Sequence, residues 1–507
     1  GRDDLTPLKS ALRESVLQVK EAVGSNNDVI IRNFSVKRRS GGRLEMALVF
    51  IDGLCDKDIL NHHVLKPLMD PEFQLHLLGE SALFYIFEEI ISVSDTKIGD
   101  DLEELAEQVL SGVAALLLDG CRKYIVFDVR KWATRGIKEP ETDVVVRGPR
   151  EGFVETMKIN MGMLRRKIKH NGLTFEMMKV GRFSTTDVCV AWLEGVAKTE
   201  IVDEVKRRLG RIDIDGVLDS GYLEAFIEEA PLSIFPTVGS SEKPDVVAAK
   251  LLEGKVAVMM DGSPFVLTAP NFFVESFGTA EDYYTRFHYH SFLRFVRWAA
   301  FLVSVLLPGL YVAITTYHQE FIPPVLLLVM AAAEENTPFS SGFSVLLMGL
   351  VYEILREAGV RLPRQIGQSI SIVGALIMGE AAVSANIISS AVLIIIGVTV
   401  VATFVTSPLN ELSTLLRVIF LFAGWFMGGF GLLIAGMAVM LYLCSLRSFS
   451  VPYLAPLAPL KPGYLGDVFV RLPLWLLQKR PPYITANKRR MASGLRPRPG
   501  KRGESDE

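Results

Sequence analysis

Three uncharged stretches decide what this chain can become. Trp298–Tyr317 and Ile387–Thr406 are twenty residues each, and Val418–Leu446 is longer still. About twenty apolar residues in a helix cover the ~30 Å hydrocarbon layer of a bilayer. At that depth backbone amides must bond inside their own helix. The runs therefore predict a helical membrane block, with the third long enough to tilt. The mean hydropathy of the 507 residues hides this division. Charges are spread evenly up to about Phe292 and almost vanish from Trp298 to Leu446. The expected architecture is an α/β cytoplasmic domain of two duplicated α/β subdomains (1–145 and 146–290), an α-helical polytopic membrane domain (291–447) and a basic cytoplasmic tail (448–507).

Arg294 and Arg297 precede the first run, with Tyr283, Tyr284, Tyr289, Phe292 and Phe295 around them. A basic, aromatic collar belongs at the cytoplasmic interface, which puts the N-terminal half in the cytoplasm. Pro308 is expected to kink the first span. In the third run Gly424-x-x-x-Gly428, with Gly431, Ala435 and Gly436, permits close helix packing. Between the first two runs the pattern breaks. Ile322–Ala333 is too short to span and ends in Glu334-Glu335, and Phe343–Glu357 is amphipathic with Glu353, Arg356 and Glu357 close together. Such segments persist at membrane depth only when buried in protein or bordering water.

Ile366–Ser384 carries Ser369, Val373, Leu376, Glu380 and Ser384 at helical spacing on one face. If copies of the chain ring a pore, that face supplies an acidic ring beside an apolar constriction, the layout of a dewetting gate with cation preference. The alternative places Glu380 at the interface. Four crossings, starting at 298, 366, 387 and 418, satisfy the basic ends but leave Arg356, Arg361 and Arg364 outside, against the positive-inside rule. Six crossings are the other solution.

The soluble half repeats itself. MALVFIDG (46–53) aligns with VCVAWLEG (188–195), and LLLDG (116–120) with VMMDG (258–262), at one shift of 142. Each is an apolar run ending in an acid and a glycine, a buried strand entering a tight turn. Strand-like Asp28–Val36 and Leu173–Lys179 precede the units, and helical Asp56–Met69 and Thr199–Leu209 follow the first matches. Strands alternating with helices argue for α/β layers in each half.

No HExxH, GxSxG or P-loop occurs. His62–His63 and His288-x-His290 are read as ordinary surface or core histidines, lacking a ligand-spaced partner. Asp52, Asp119 and Asp261 are read as turn residues. Cys55, Cys121, Cys189 and Cys444 match neither a CxxC pair nor a disulfide framework and are expected as buried thiols. No enzyme, cofactor or metal site is expected. A net charge of −3 gives no case for nucleic acid. GRDDLTPLKS has no basic-then-apolar pattern, so insertion is expected from internal segments. From Arg447 onward twelve Lys/Arg stand against four Asp/Glu. Ser448–Pro462 is Pro-rich, Asp467–Leu477 has an apolar stripe expected as an amphipathic helix on the inner surface, and the end from Lys488 to Arg502 is expected near anionic lipid.

VVRGPREGFVET (145–156), GRIDIDGVLDSGYLEAFIEE (210–229), AVMMDGSPFVLTAP (257–270), EILREAGVRLPRQIGQSISIVGALIMGEAAV (353–383) and SFSVPYLAPLAP (448–459) resemble the A subunits of GerA-type spore germinant receptors. The similarity runs from about Asp28 to Pro482. It implies the inner membrane of a bacterial spore, a multi-span B subunit that binds the nutrient, a lipoprotein C subunit, and self-association as a ring forming a ligand-gated cation channel. It also implies glutamine in many members where this chain has Glu380, and a less acidic stretch than AAAEENTPF (331–339). The resemblance extends to the stage V sporulation AF protein, a paralogue that amplifies germination with another partner. A non-conducting scaffold or signalling subunit is the rival reading.

Overall fold

The computed structural model describes residues 8–24, 26–39, 41–130, 147–335, 337–361, 379–487 and 489–490. The repeat seen in the sequence is a repeat of structure. Strands β1 (Val29–Lys37), β2 (Arg43–Ile51), β3 (Thr96–Gly99), β4 (Ala114–Leu118) and β5 (Tyr124–Phe127) form one sheet in the order β1-β2-β4-β5-β3. Strands β6 (Leu173–Val180), β7 (Thr186–Leu193), β8 (Gly239–Ser241), β9 (Val256–Met260) and β10 (Val266–Ala269) form a second in the order β6-β7-β9-β10-β8. Even the register is kept: Met46 faces Leu118 as Val188 faces Met260, each position shifted by 142.

All pairings in both sheets are antiparallel. Antiparallel sheets often leave one face wet and then alternate apolar with polar residues, whereas these core strands are continuously apolar. Packing gives the reason. Met46, Leu48 and Phe50 enter the core under the short helices between Lys57 and Ile90, while Ala47, Val49 and Ile51 enter the one under helices Leu12–Val23 and Leu102–Leu110. The second sheet is likewise covered on both faces. The Asp56–Met69 helix is not regular, since a π turn over Leu60–Leu65 interrupts it.

The acid-glycine turns have a specific task. Asp119 accepts the amide of Leu12 (3.0 Å) and Asp261 that of Met157 (3.0 Å), each the first residue of a helix. An orphan amide at a helix start is thus satisfied by a turn far away in sequence. Gly120 and Gly262 follow at φ +80° and +96°, where a side chain is strained. Asp119→Ala and Asp261→Ala should each cost about 1 kcal/mol, measured by thermal unfolding, with equal losses marking the shared role. The two units are joined by a buried ion pair, Arg165 to Asp28 at 2.8 Å.

Helix Phe287–Tyr317 leaves the second unit, with Pro308 inside it. Helix Pro324–Glu335 follows, then Ser341–Arg361, Ser390–Val405 (capped by Ser389) and Asn410–Ser445. The third apolar run is not one tilted span. Gly428 has φ +60° and ψ −143° and breaks the last helix into two arms. A Cβ on Gly431 would strike the carbonyl of Ala423, and one on Gly436 would lie 4.0 Å from the Phe420 ring. Those positions are ~12 and ~24 Å apart in a straight helix, so the arms fold back on one another. Gly428, expected as a packing residue, is the turn. Gly424 does lie against Gly309 of the Phe287–Tyr317 helix, backbone to backbone.

That crossing leaves no room for a side chain: a Cβ on Gly309 would sit 2.5 Å from the carbonyl of Phe420. Gly309→Ala should cost about 1–3 kcal/mol through overpacking. Gly349→Ala, in open space within helix Ser341–Arg361, should be neutral or slightly stabilising. Thermal unfolding of the two variants side by side checks both.

The segment after Leu446 is not a separate basic tail as far as residue 487. Phe449, Val451, Ala455 and Ile484 join the core of the second unit, and Ala486 donates to the Val196 carbonyl (2.9 Å). Asp467–Leu477 is not an amphipathic helix either. Pro462–Asp467 and Leu474–Leu476 are short 3₁₀ turns, as Gly466 and Pro473 dictate. Cys55, Cys121 and Cys189 are buried, whereas Cys444 is exposed.

Candidate functional site

Two buried charge networks hold the α/β half to the helices and the helices to one another. The first begins at Asp282, whose side chain is fully buried in the short helix Glu281–Tyr284. It accepts from Arg297 through both oxygens at 2.9 Å, from Arg294 Nε at 3.2 Å, from Thr279 Oγ1 at 3.1 Å, and pairs with His290 Nδ1 at 3.0 Å. Arg294 turns its other arm to Asp467, donating to Oδ1 (2.8 Å) and to the backbone carbonyl (2.7 Å). Tyr283 donates to the second oxygen of Asp467 at 2.5 Å. Burial drives the Asp282 carboxyl upward, yet hydrogen bonding and charge from Arg297, then the charge of Arg294, outweigh it and hold the group below the ordinary carboxylate range.

This arrangement corrects two expectations. Arg294 and Arg297 are not a lipid-facing collar, because their charges are spent on Asp282 and Asp467. His290 does have a carboxylate partner, since Asp282, eight residues earlier in a separate short helix, lies 3.0 Å away. Around the network Phe277 stacks on Trp298 (3.7 Å between centroids), and Phe235, Phe273, Phe301, Leu412, Leu443 and Tyr453 form one core. That core draws on the second unit, on both long helices and on the returning segment.

The second network lies among the helices. Arg417, on the first arm of the last helix, is buried. Its Nε donates to the Ser304 carbonyl (3.0 Å) and its Nη2 to Thr403 Oγ1 (2.7 Å), and Nη1 lies 3.6 Å from Glu353. Glu353 also pairs with Arg356 (2.7 Å) and accepts from Thr414 (3.1 Å). Four helices thus meet at one guanidinium. Near the other end, Tyr311 (3.3 Å) and Ser341 (2.6 Å) both donate to Glu334. Charges at such positions cost several kcal/mol unless paired or wetted, and they mark functional places in membrane helices.

Of the pore-facing residues expected on Ile366–Ser384, Ser369, Val373 and Leu376 lie outside the described residues. Glu380 is exposed within helical residues of the described part, and the Ser384 hydroxyl donates to its carbonyl (2.7 Å). Gly379 lies against Leu393. Sequence reading missed Arg417 and Asp282. Arg417 was visible only as the charge that closes an uncharged run, and Asp282 as one acid in a mixed stretch. His62 and His63 are exposed and bond to Asp58 and Ser92. Among the described residues no three of His, Cys, Asp or Glu gather as a metal-holding group.

The family described as Bacillus/Clostridium GerA spore germination protein matches residues 17–483. Spore germination protein KA of Bacillus subtilis (strain 168) is 39% identical over 495 residues, covering 97% of this chain and 90% of that protein. The uncharacterized membrane protein YfkQ of the same organism is 36% identical over 483 residues, covering 94% and 91%. The crystal structure of the N-terminal domain of the A subunit of the Bacillus megaterium spore germinant receptor GerK3 is 34% identical, covering 53% of this chain and 98% of that one at a TM-score of 0.42.

Proposed function

The chain belongs to the GerA family of spore germination proteins, and from that premise we propose that it is the A subunit of a nutrient-responsive germinant receptor in the inner spore membrane. Its copies associate as a ring with a ligand-gated cation path through the middle, and it works beside a multi-span nutrient-binding B subunit and a lipoprotein C subunit. The family carries the germination role. The observation that carries the ring is helix Pro324–Glu335: twelve mostly apolar residues, none of them buried. At ~18 Å it is too short to cross the hydrocarbon layer, so its ends lie at depth and need protein or an aqueous cavity around them. Within one copy Tyr311 and Ser341 meet Glu334 at its C-terminal end, while none of its residues is buried, which favours cover from neighbouring copies.

Two helices, Phe287–Tyr317 and Asn410–Ser445, are long and apolar enough to cross a membrane. With the second broken at Gly428, six crossings follow in this reading. Phe287–Tyr317 leads out. Ser341–Arg361 leads back in, since Ser341 bonds Glu334 near Tyr311 while Glu353 reaches the level of Ser304. Ser390–Val405 leads in, which requires the chain to return outward between Arg361 and Ser390, and the two arms lead out and in. Arg356 and Arg361 then lie at the cytoplasmic end, and the positive-inside conflict of the four-crossing scheme disappears.

The test is cation flux from proteoliposomes holding the chain with its B and C companions. Nutrient-dependent release is expected, with Glu380→Gln altering selectivity. Nutrient binding without flux would instead make the chain a non-conducting scaffold.

A further inference from the structure

The second α/β unit, the first turns of helix Phe287–Tyr317 and the returning segment each expose apolar side chains near the start of the helical bundle. Leu232 is 98% exposed. Its neighbours Ala230, Ile234 and Phe235 nevertheless pack into the core shared with Leu409, Leu412, Leu443 and Leu446, and the Phe235 ring lies 6.0 Å from Tyr442. The loop is therefore pinned where the two arms of the last helix end, with Leu232 projecting from it. Elsewhere on the rim, Phe469 lies 5.2 Å from Trp298, the first residue of the uncharged run. Phe469 and Val470 are about half exposed, and Phe292 and Phe295 nearly two-thirds.

Depth follows from helix geometry. Phe295 and Phe292 sit three and six residues before Trp298, ~4.5 and ~9 Å along the axis. The headgroup layer is ~5–8 Å thick on each side of the hydrocarbon. Leaving large apolar side chains in water forfeits ~1.5–3 kcal/mol apiece, and contiguous patches of this kind mark a covering partner.

We propose that lipid is that partner: Leu232, Phe292, Phe295, Phe469 and Val470 seat the second unit in the headgroup layer of the leaflet it faces. The inference rests on the reading of the helices as membrane-crossing. Two observations favour lipid over a protein. Phe292 and Phe295 of the patch also line a groove between helices Phe287–Tyr317 and Ser390–Val405, whose other lining residues, from Val296 to Val303 and Gly397 to Ala402, are all apolar. A protein interface of that size would present hydrogen-bonding groups. Arg294 and Arg297, beside Phe292 and Phe295 in sequence, are turned inward onto Asp282 and Asp467, and Arg471, next to Val470, is buried.

The experiment uses the full chain in nanodiscs, with Cys444→Ser as background and single variants Leu232→Cys, Val470→Cys, Val398→Cys and Leu17→Cys carrying an environment-sensitive fluorophore. Lipids spin-labelled near the headgroup should quench the labels at 232 and 470 strongly, with blue-shifted emission, and leave the label at 17 unaffected. Blue shift without quenching at 232 and 470 would mean protein covers them, and unshifted emission would mean water does. Either overturns the proposal. The label at 398 separates the two readings, since lipids spin-labelled deep in the chain must quench it. Its failure would overturn the membrane-crossing reading along with this one.

Discussion

Replacing Asp282 with alanine should destabilise the folded chain by about 3–5 kcal/mol, the usual cost of removing one partner from a buried ion pair. The carboxylate is fully enclosed and answers two guanidiniums, Arg294 and Arg297, together with His290. Without it, among the described residues, Arg297 keeps the Phe277 carbonyl and the Thr279 hydroxyl as hydrogen-bond acceptors, and Arg294 keeps Asp467. Asp282→Asn keeps part of the hydrogen bonding and should fall between. Thermal unfolding of the detergent-solubilised chain reads the loss, and limited proteolysis around Thr279–Arg286 locates it at the joint. The pH sign is fixed by the depressed carboxyl. A group with a lowered folded pKa stabilises fully above its unfolded value of about 3.9 and loses that contribution as pH falls through the folded value. Near neutral pH the Asp282 contribution should therefore be flat, and it should decline only in strong acid. An alanine variant that melts like the parent would remove Asp282 from its central position.

Glu353→Ala should have a comparable effect inside the bundle, again about 3–5 kcal/mol. It leaves Arg417 without a counter-charge among Ser304 and Thr403 and frees Arg356 as well. Glu353→Leu combined with Arg417→Met should recover most of the loss, because an apolar pair of similar volume is often neutral or better than a buried ion pair. The coupling energy from that double-mutant cycle is the quantity to measure. Additive losses would mean that the two residues act separately. Function should respond too. Helix Ser341–Arg361 leads directly into residues 362–378, so loosening its only tie to Arg417 among the described residues should raise nutrient-independent cation leak. The single variant should leak more than the double.

The duplicated units were legible because an apolar run closed by an acid and a glycine has one economical meaning, and the structure gives Asp119 and Asp261 the same helix-capping task. Strand direction was not legible. Residues buried on both faces carry no alternation, so MALVFI reads the same in parallel and antiparallel sheets. The joint was hidden for a different reason. Arg294 finds Asp282 twelve positions upstream and Asp467 far downstream, and no local pattern links them. Beside an uncharged run, two arginines look like an interfacial collar until their partners are placed. Gly428 shows a third kind of limit. A glycine four residues from another can bring helices together or reverse the chain, and only a positive φ tells these apart. Asp467–Leu477 had helical spacing, but Gly466, Pro473 and contacts to Tyr283 and Trp298 hold it as short turns.

The proposed cation path requires water to reach Ser369, Val373, Leu376 and Glu380, which helical spacing would put on one face, when several copies enclose them. Cysteines at those four positions in the assembled receptor, treated with a membrane-impermeant thiol reagent with and without nutrient, test this most directly. The account predicts modification at all four, faster at 373 and 376 once nutrient is bound. Protection at all four in both states would contradict it.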